Sequence, residues 1–427
     1  MNKPKALFYA PIDCYSGYSA CSRERIKALI EIYGDKWDIQ IISCGWGTTP
    51  NGFIDKHEEW KFLNPYILKE NLTYKPDLMF WFTIPSEAKP IGNWNCLWTA
   101  GIETDVCAPQ WIDAINELDL VIVSSKHAKD VFLTSQFDKQ DKNTKQIVGR
   151  IKCEKPIEVI HEGFIPEIYK FLPTIEDSSE IKKTLDKIDE SFNFLYVGHW
   201  LQGKIGEDRK NVGALIKVFF ETFKNKKTKP SLILKTMAGS CSIQDRDEIL
   251  KRIDSIRQTV KSSDLPNVYL IHGDITDQEM NELYNHPKVK AMISLTKGEG
   301  YGKPLIEFTQ SKKPLIVSGW SGHLDFCKAD CTTLIPGTLT PIHESAQIKD
   351  MLIEGSRWFS PDLGHAGAVM KDYFENYKKY QENGPRLGYY CKQNFDYNSM
   401  VIKIKEVIDR EIKLPYSLKL PELKIVK

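Results

Sequence analysis

The residues best placed to do chemistry fall in one run, Thr296-Lys297-Gly298-Glu299-Gly300-Tyr301-Gly302-Lys303-Pro304-Leu305-Ile306-Glu307. It follows an apolar strand pattern and opens a helical one. Gly298, Gly300 and Gly302 allow close backbone approach and unusual dihedrals. Pro304 suits a first helical turn, where its missing N–H costs little. The free N–H groups of that turn favour an anion. Glu299 precedes the helix and Glu307 lies about a turn inside it, so the two acids address different parts of one extended ligand. A carboxylate accepts from two vicinal hydroxyls, and acids flanking an anion site suit a sugar–diphosphate–ribose molecule. A second cluster runs from Val197-Gly198-His199 to Glu207-Asp208-Arg209-Lys210-Asn211 and sets two cations at a helix start. Hydrogen bonds from such cations that strengthen as a leaving group gains charge speed a reaction rather than merely bind.

Positioning these groups requires rigid elements, and the pattern supplies them. Short apolar runs alternate with longer amphipathic segments, which predicts α/β architecture with parallel sheets. The first half offers strands at 6–10, 39–44, 78–82, 96–99, 120–124 and 157–160, with helices at 20–33, 111–118 and 126–135. The second half offers strands at 192–198, 231–234, 268–271, 291–295 and 314–318. Its helices fall at 211–223, 244–260, 277–284 and 303–311, and a further one at 400–412. The run 176–191, rich in Lys, Asp, Glu and Ser, is the linker candidate. The division expected is therefore 1–175, an N-terminal Rossmann-like acceptor domain; 176–191, a linker; and 192–385, a C-terminal Rossmann-like nucleotide-sugar domain. Residues 386–427 form a helical segment expected to cross back to the first domain. Two doubly wound sheets place a crevice between their strand ends, where such folds bind ligands.

The Glu299-x7-Glu307 run resembles the motif of retaining GT-B glycosyltransferases, especially glycosyltransferase family four. The resemblance implies a GT-B fold, two Rossmann-like doubly wound domains facing a central cleft. It also implies that Glu299 contacts the hydroxyls of a donor sugar and Glu307 the ribose, with backbone at Gly300, Tyr301, Gly302 and Lys303 holding sugar and phosphate. Arg209 and Lys210 match the family's diphosphate clamp, although His199 stands where an arginine commonly follows the glycine; the adjacent pair supplies both charges, or His199 contributes one donor. The loop Pro11-Ile12-Asp13-Cys14-Tyr15-Ser16-Gly17-Tyr18-Ser19 is similar to the family's glycine loop beside the donor, and His272-Gly273-Asp274-Ile275 to its nucleobase loop. Glu103 and Asp105, in Thr99-Ala100-Gly101-Ile102-Glu103-Thr104-Asp105, occupy the acceptor side. Glu103 stands near where many members keep a histidine, and a buried structural carboxylate is the competing reading. His161 resembles part of a domain-linking element and reads as structural.

A narrower likeness spans most of residues 75–330, including 93–111, 120–127 and 318–326. It is to glycosyltransferases of T-even-like tailed phages, which glycosylate hydroxymethylated cytosine in DNA. Trp81, Trp94, Trp98, Lys126 and Lys129 are then candidates to stack and steer a flipped base, against the plainer reading that the tryptophans are core. The acceptor implied is modified DNA or, alternatively, a glycan or small molecule. Two other readings share the scaffold, a non-catalytic sugar-nucleotide or nucleic-acid binder and a UDP-sugar epimerase.

Composition sets outer bounds. With 427 residues, two domains fit comfortably. Lys+Arg 58 against Asp+Glu 57 excludes a polycation that coats nucleic acid, though not a local basic groove. Ten scattered cysteines read as reduced thiols. With no apolar run long enough to span a membrane and no room for a leader before the first strand, the location expected is cytoplasmic, or host-cytoplasmic for a phage protein. No Ser/His/Asp elbow or His-Glu-x-x-His pair stands out. Asp245-Arg246-Asp247 is formally an Asp-x-Asp metal motif but falls at a helix start, where acids are favoured anyway. No metal and no cofactor beyond the nucleotide sugar as substrate is expected.

Overall fold

A computed structural model describes residues 3–412 apart from 48, 142, 143, 145 and 201; the 413–427 part of the C-terminal segment lies outside the described residues. The first domain runs β1 (Lys5–Ala10), α1 (Gly17–Tyr33), β2 (Asp38–Ser43), α2 (Phe53–Lys56), β3 (Leu78–Phe82), β4 (Trp94–Thr99), α3 (Pro109–Asn116) and β5 (Leu120–Val123). It continues with α4 (Lys126–Thr134), the antiparallel pair β6 (Phe137–Gln140) and β7 (Ile147–Ile151), and β8 (Ile157–Val159). Its six-stranded sheet has the order β2-β1-β3-β4-β5-β8, parallel throughout. A parallel sheet covered on both faces needs apolar residues in both directions. Leu78-Met79-Phe80-Trp81-Phe82 is accordingly buried at every position.

The second domain runs α5 (Glu180–Asp186), β9 (Asn193–Val197), α6 (Val212–Phe223), β10 (Ser231–Lys235), α7 (Ile243–Thr259), β11 (Val268–Ile271), α8 (Asp277–Asn285) and β12 (Val289–Ser294). Then come α9 (Lys303–Phe308), β13 (Leu315–Ser318), β14 (Thr333–Ile335), the hairpin β15 (Gly337–Pro341) and β16 (Arg357–Pro361), α10 (Leu363–Glu375), α11 (Asn383–Asn394) and α12 (Tyr397–Glu411). Its parallel sheet has the order β11-β10-β9-β12-β13-β14.

In each sheet alternate side chains feed two cores. Phe194 and Tyr196 join one face, with Phe219 and Ile293, while Leu195 joins the other, with Ile233 and Leu305. Helix α5 arises inside the polar run 176–191 because Ile181 and Leu185 recur at helical spacing and bury against Leu195, Ile233 and Leu283. Helix α12 lays Tyr397, Met400, Ile404 and Val407 on the first domain's core beside Ile26 and Leu29.

The tryptophans offered as base-stacking platforms are core. Trp98 is fully buried against Phe82, and Trp81 lies buried with its indole N–H donated to the Lys89 carbonyl. Trp94 packs on the same core as Phe80. Among the described residues no helix is long and apolar enough to cross a membrane.

Candidate functional site

In each sheet the chain reverses its winding at one place, β1/β3 in the first and β9/β12 in the second. Loops leaving neighbouring strands on opposite sides of that point open a crevice. From β9 and β12 leave the loops carrying Arg209-Lys210 and Gly298–Gly302. The two loops are laced together. Arg209 O accepts from Lys297 N at 2.7 Å, and Asn211 Nδ2 donates to Leu295 O at 3.0 Å. Asn211 takes a left-handed conformation to begin α6, so the two cations before it turn toward the β12 loop rather than into solvent.

There they meet the first acid. Lys210 Nζ lies 2.7 Å from both carboxylate oxygens of Glu299. Arg209 Nη1 donates to the Gly298 carbonyl at 2.7 Å and lies 3.1 Å from Glu103 Oε1 and 3.6 Å from Glu299 Oε2. Burial pushes the Glu299 carboxyl up, but Lys210 and Arg209 outweigh it and hold the group below the usual range. Its backbone N–H donates to Ser321 Oγ at 2.9 Å. Glu103 comes from the first domain, so the constellation bridges the two. The approach is close: a Cβ on Gly298 would lie 2.2 Å from the Glu103 carbonyl oxygen, and one on Gly300 2.9 Å from that of Ala100. This, rather than dihedral freedom, is why both positions lack side chains.

The remaining residues expected in the site divide. Gly302, at φ +101, caps α9, and Pro304 sits in its first turn as expected. Glu307 is buried, receives the Tyr284 hydroxyl at 3.4 Å, and has its carboxyl pushed well above the usual range by burial, which Lys303 only partly opposes. Gly17 begins α1 after the Ser16 cap, at the carboxyl end of β1, with nothing within 4 Å of where a Cβ would sit. Ile275 half-buries on the second core behind Gly273, whose carbonyl accepts from Lys235 at 2.5 Å.

Three side chains go elsewhere. Tyr301 turns its ring into the core against Phe326, its hydroxyl unpartnered among the described residues, so only its backbone is left for a ligand. The Lys303 ammonium leaves its own domain for Glu24 and the Gly163 carbonyl. Asp105 is a strut: it accepts from Arg357 N and Nε, both at 2.7 Å, because Arg357 on β16 approaches from the other domain.

His199 carries no charge to the cluster. Burial, then the charges of Lys210, Lys235 and Arg209, depress its pKa to about 4. Asp245 accepts from the backbone N–H groups of Ala238 and Gly239 and from His272 Nε2 at 2.8 Å, while Asp247 pairs with Arg246. Its carboxylate is thus spent on a loop, as a helix-start acid. His161 pairs with Asp325 at 2.9 Å, and the same carboxylate oxygen accepts from Lys126 N at 2.9 Å, joining the domains. Sequence reasoning missed Glu24, Ser321, Asp325 and Arg357 as partners. Of these only Glu24 carried a signal, its place in the run of three consecutive charges Arg23-Glu24-Arg25.

No protein-family model matches the chain, and no curated protein sequence does. Solved structures do. HepE from Anabaena, in complex with UDP-glucose, superposes with a TM-score of 0.60 at 14% identity, over 95% of this chain and all of that one. A glycosyltransferase from Rickettsia africae gives 0.62 at 13%, over 97% and 100%. Sucrose-phosphate synthase from Thermosynechococcus elongatus gives 0.62 at 12%, over 96% and 99%. The chain has the GT-B fold. In that fold the Arg209-Lys210-Glu299-Glu103 constellation sits where the strand ends of both sheets face one another.

Proposed function

We propose that this protein transfers a sugar from a nucleotide sugar, UDP-linked, to a hydroxyl of its acceptor, with retention of configuration and without an essential metal. The observation that carries it is the pairing of Arg209 and Lys210 with Glu299 at the second sheet's switch point, facing the other domain. HepE, of the same fold, was solved with UDP-glucose, which supports UDP as the nucleotide. Retention rests on the resemblance of the Glu299-x7-Glu307 motif.

In this reading Arg209 and Lys210 exchange their carboxylate partners for the diphosphate, and Glu299 turns to the sugar hydroxyls. As the sugar C1–O bond breaks, its electron pair passes to the departing phosphate oxygen, where the two cations stabilise it. The acceptor oxygen bonds to C1 on the same face, and its proton passes to the leaving phosphate. No side-chain nucleophile enters. The charge compensation that a divalent ion would supply comes from Arg209 and Lys210. Glu307 accepts from the ribose, and the Gly273–Ile275 backbone faces the base.

The test is a panel of UDP-sugars with glycan acceptors and with DNA containing 5-hydroxymethylcytosine, products weighed by mass spectrometry and the anomer read by NMR, with and without EDTA. Transfer with retention, insensitive to EDTA, is the expected result. Nucleotide-sugar binding without turnover on any acceptor would favour the non-catalytic reading. Absence of binding would remove the site assignment.

A further inference from the structure

Lys303 lies between the two acids of the motif, yet its ammonium crosses the interface. It sits 2.5 Å from Glu24 Oε2 on α1 and donates to the Gly163 carbonyl at 2.5 Å, both in the first domain. Glu307 Oε1, four residues along the same helix, is 3.9 Å away, beyond hydrogen-bond reach. All three side chains are about nine-tenths buried. One ammonium thus stands between two carboxylates, and Glu24 holds it. Lysine and glutamate four apart on a helix pair readily when nothing competes. A rotation of the lysine's flexible stem would close the gap to Glu307.

We propose that Glu24 is a positioning residue: by drawing Lys303 across the interface, it leaves Glu307 free to accept from the nucleotide's ribose. Recognition of the ribose hydroxyl then belongs to the joined domains, not to the second domain alone. When Glu24 is lost, or the domains part, Lys303 falls back on Glu307 and occupies the lone pairs that the ribose needs. The inference rests on the reading of Glu307 as the ribose acceptor.

Calorimetric titration of UDP and 2′-deoxy-UDP separates the possibilities, because the quantity read is the ratio of the two dissociation constants. Wild type is expected to prefer UDP by several-fold to about tenfold, the worth of one hydrogen bond. In Glu24→Gln the ratio should fall toward one. In the double variant Glu24→Gln with Lys303→Met, which removes the competing ammonium, the preference should return. A merely structural role predicts instead that both nucleotides weaken alike in Glu24→Gln, and more so in the double variant, and that result overturns the proposal. Glu24→Asp keeps the charge but withdraws it, so its ratio should lie between, and it serves if Glu24→Gln does not fold; a wild-type ratio there also overturns the proposal. If wild type binds UDP and the deoxy analogue equally well, the ribose role of Glu307 fails and takes the proposal with it. If wild type binds neither, the nucleotide-sugar reading itself fails.

Discussion

Gly298→Ala tests whether the two domains must meet as closely as they do. The added Cβ would lie 2.2 Å from the Glu103 carbonyl oxygen and 2.9 Å from its Cβ, over 1 Å short of ordinary contact. Both obstacles are main chain or adjacent to it, so no side-chain rotation relieves the clash. Either the β12 loop shifts or the domains part by about 1 Å, and the point of contact is the worst available. Arg209 donates to the Gly298 carbonyl and touches Glu103, so the cation assigned to the leaving phosphate moves with the clash. A misplacement of about 1 Å in a reacting constellation costs roughly 10²-fold in rate. If the interface cannot yield, overpacking also costs about 1–3 kcal/mol of stability. If the domains part, stability survives and kcat alone falls. Gly300→Ala, 2.9 Å from the Ala100 carbonyl, should follow the same direction with a smaller loss, and Gly149→Ala, with nothing within 4 Å, should be silent. The assay is kcat at saturating donor beside a thermal melt, with UDP affinity by calorimetry. Folded Gly298→Ala with kcat within about twofold of wild type would refute the reasoning, since tolerance at a ~1 Å displacement means the interface does not position the chemistry.

Lys210→Met removes the cation 2.7 Å from Glu299; steady-state kinetics should show kcat down by roughly 10²–10³-fold, the usual cost of losing one charge-stabilising donor, with a smaller change in KM. Stability should depend on pH through His199, whose folded pKa is depressed to about 4. The unfolded chain takes up that proton near pH 6.5 and the folded chain only near 4, so stability is full above about 6.5 and declines as pH falls through that window, by at most ~3 kcal/mol. Melts of His199→Asn should lose less between pH 7 and 5 than those of wild type. Asp325→Ala leaves the Lys126 N–H and His161 without their shared acceptor; denaturant unfolding should show a loss of about 2–4 kcal/mol, and Asp325→Asn a smaller one.

What the sequence disclosed and what it hid divide by distance along the chain. A parallel strand buried on both faces must be apolar throughout, so 78–82 was legible without any partner in view. The run 296–307 was legible because its strand end, glycines, cap and acids are contiguous. Partners chosen across the interface leave no such mark. Glu24 and Lys303 are 279 residues apart, and nothing near either names the other. Asp105 follows Glu103 by two positions and invited the same role, but Glu103 meets Arg209 while Asp105 meets Arg357. Hairpin β15–β16 escaped notice because Gly337-Thr338-Leu339-Thr340-Pro341 is partly exposed and bounded by Gly and Pro, which read as a turn. Helix α11 was hidden by Gly384, Pro385 and Gly388. The glycines are there because the helix packs on the main chain of 309–313, where a Cβ would meet Lys312 O at 2.2 Å and Thr309 O at 2.6 Å.

The charge balance of the cleft explains why so many ionised groups persist where burial penalises them. Arg209 and Lys210 face Glu103 and Glu299, two charges against two, and a buried ion missing its partner costs several kcal/mol. Apolar replacements of the same shape would often be as stable or more so. In the proposed reaction, however, an entering diphosphate finds cations already in place, and they can change partners without either being left bare. Glu299 can release Lys210 because sugar hydroxyls are alternative donors to a carboxylate. An uncharged cleft would offer a phosphate no cation, and one with cations alone would leave them buried without partners once the product departs. In the proposed reaction the acids therefore matter as much as the bases: they are the groups that would take the cations back as the nucleotide leaves.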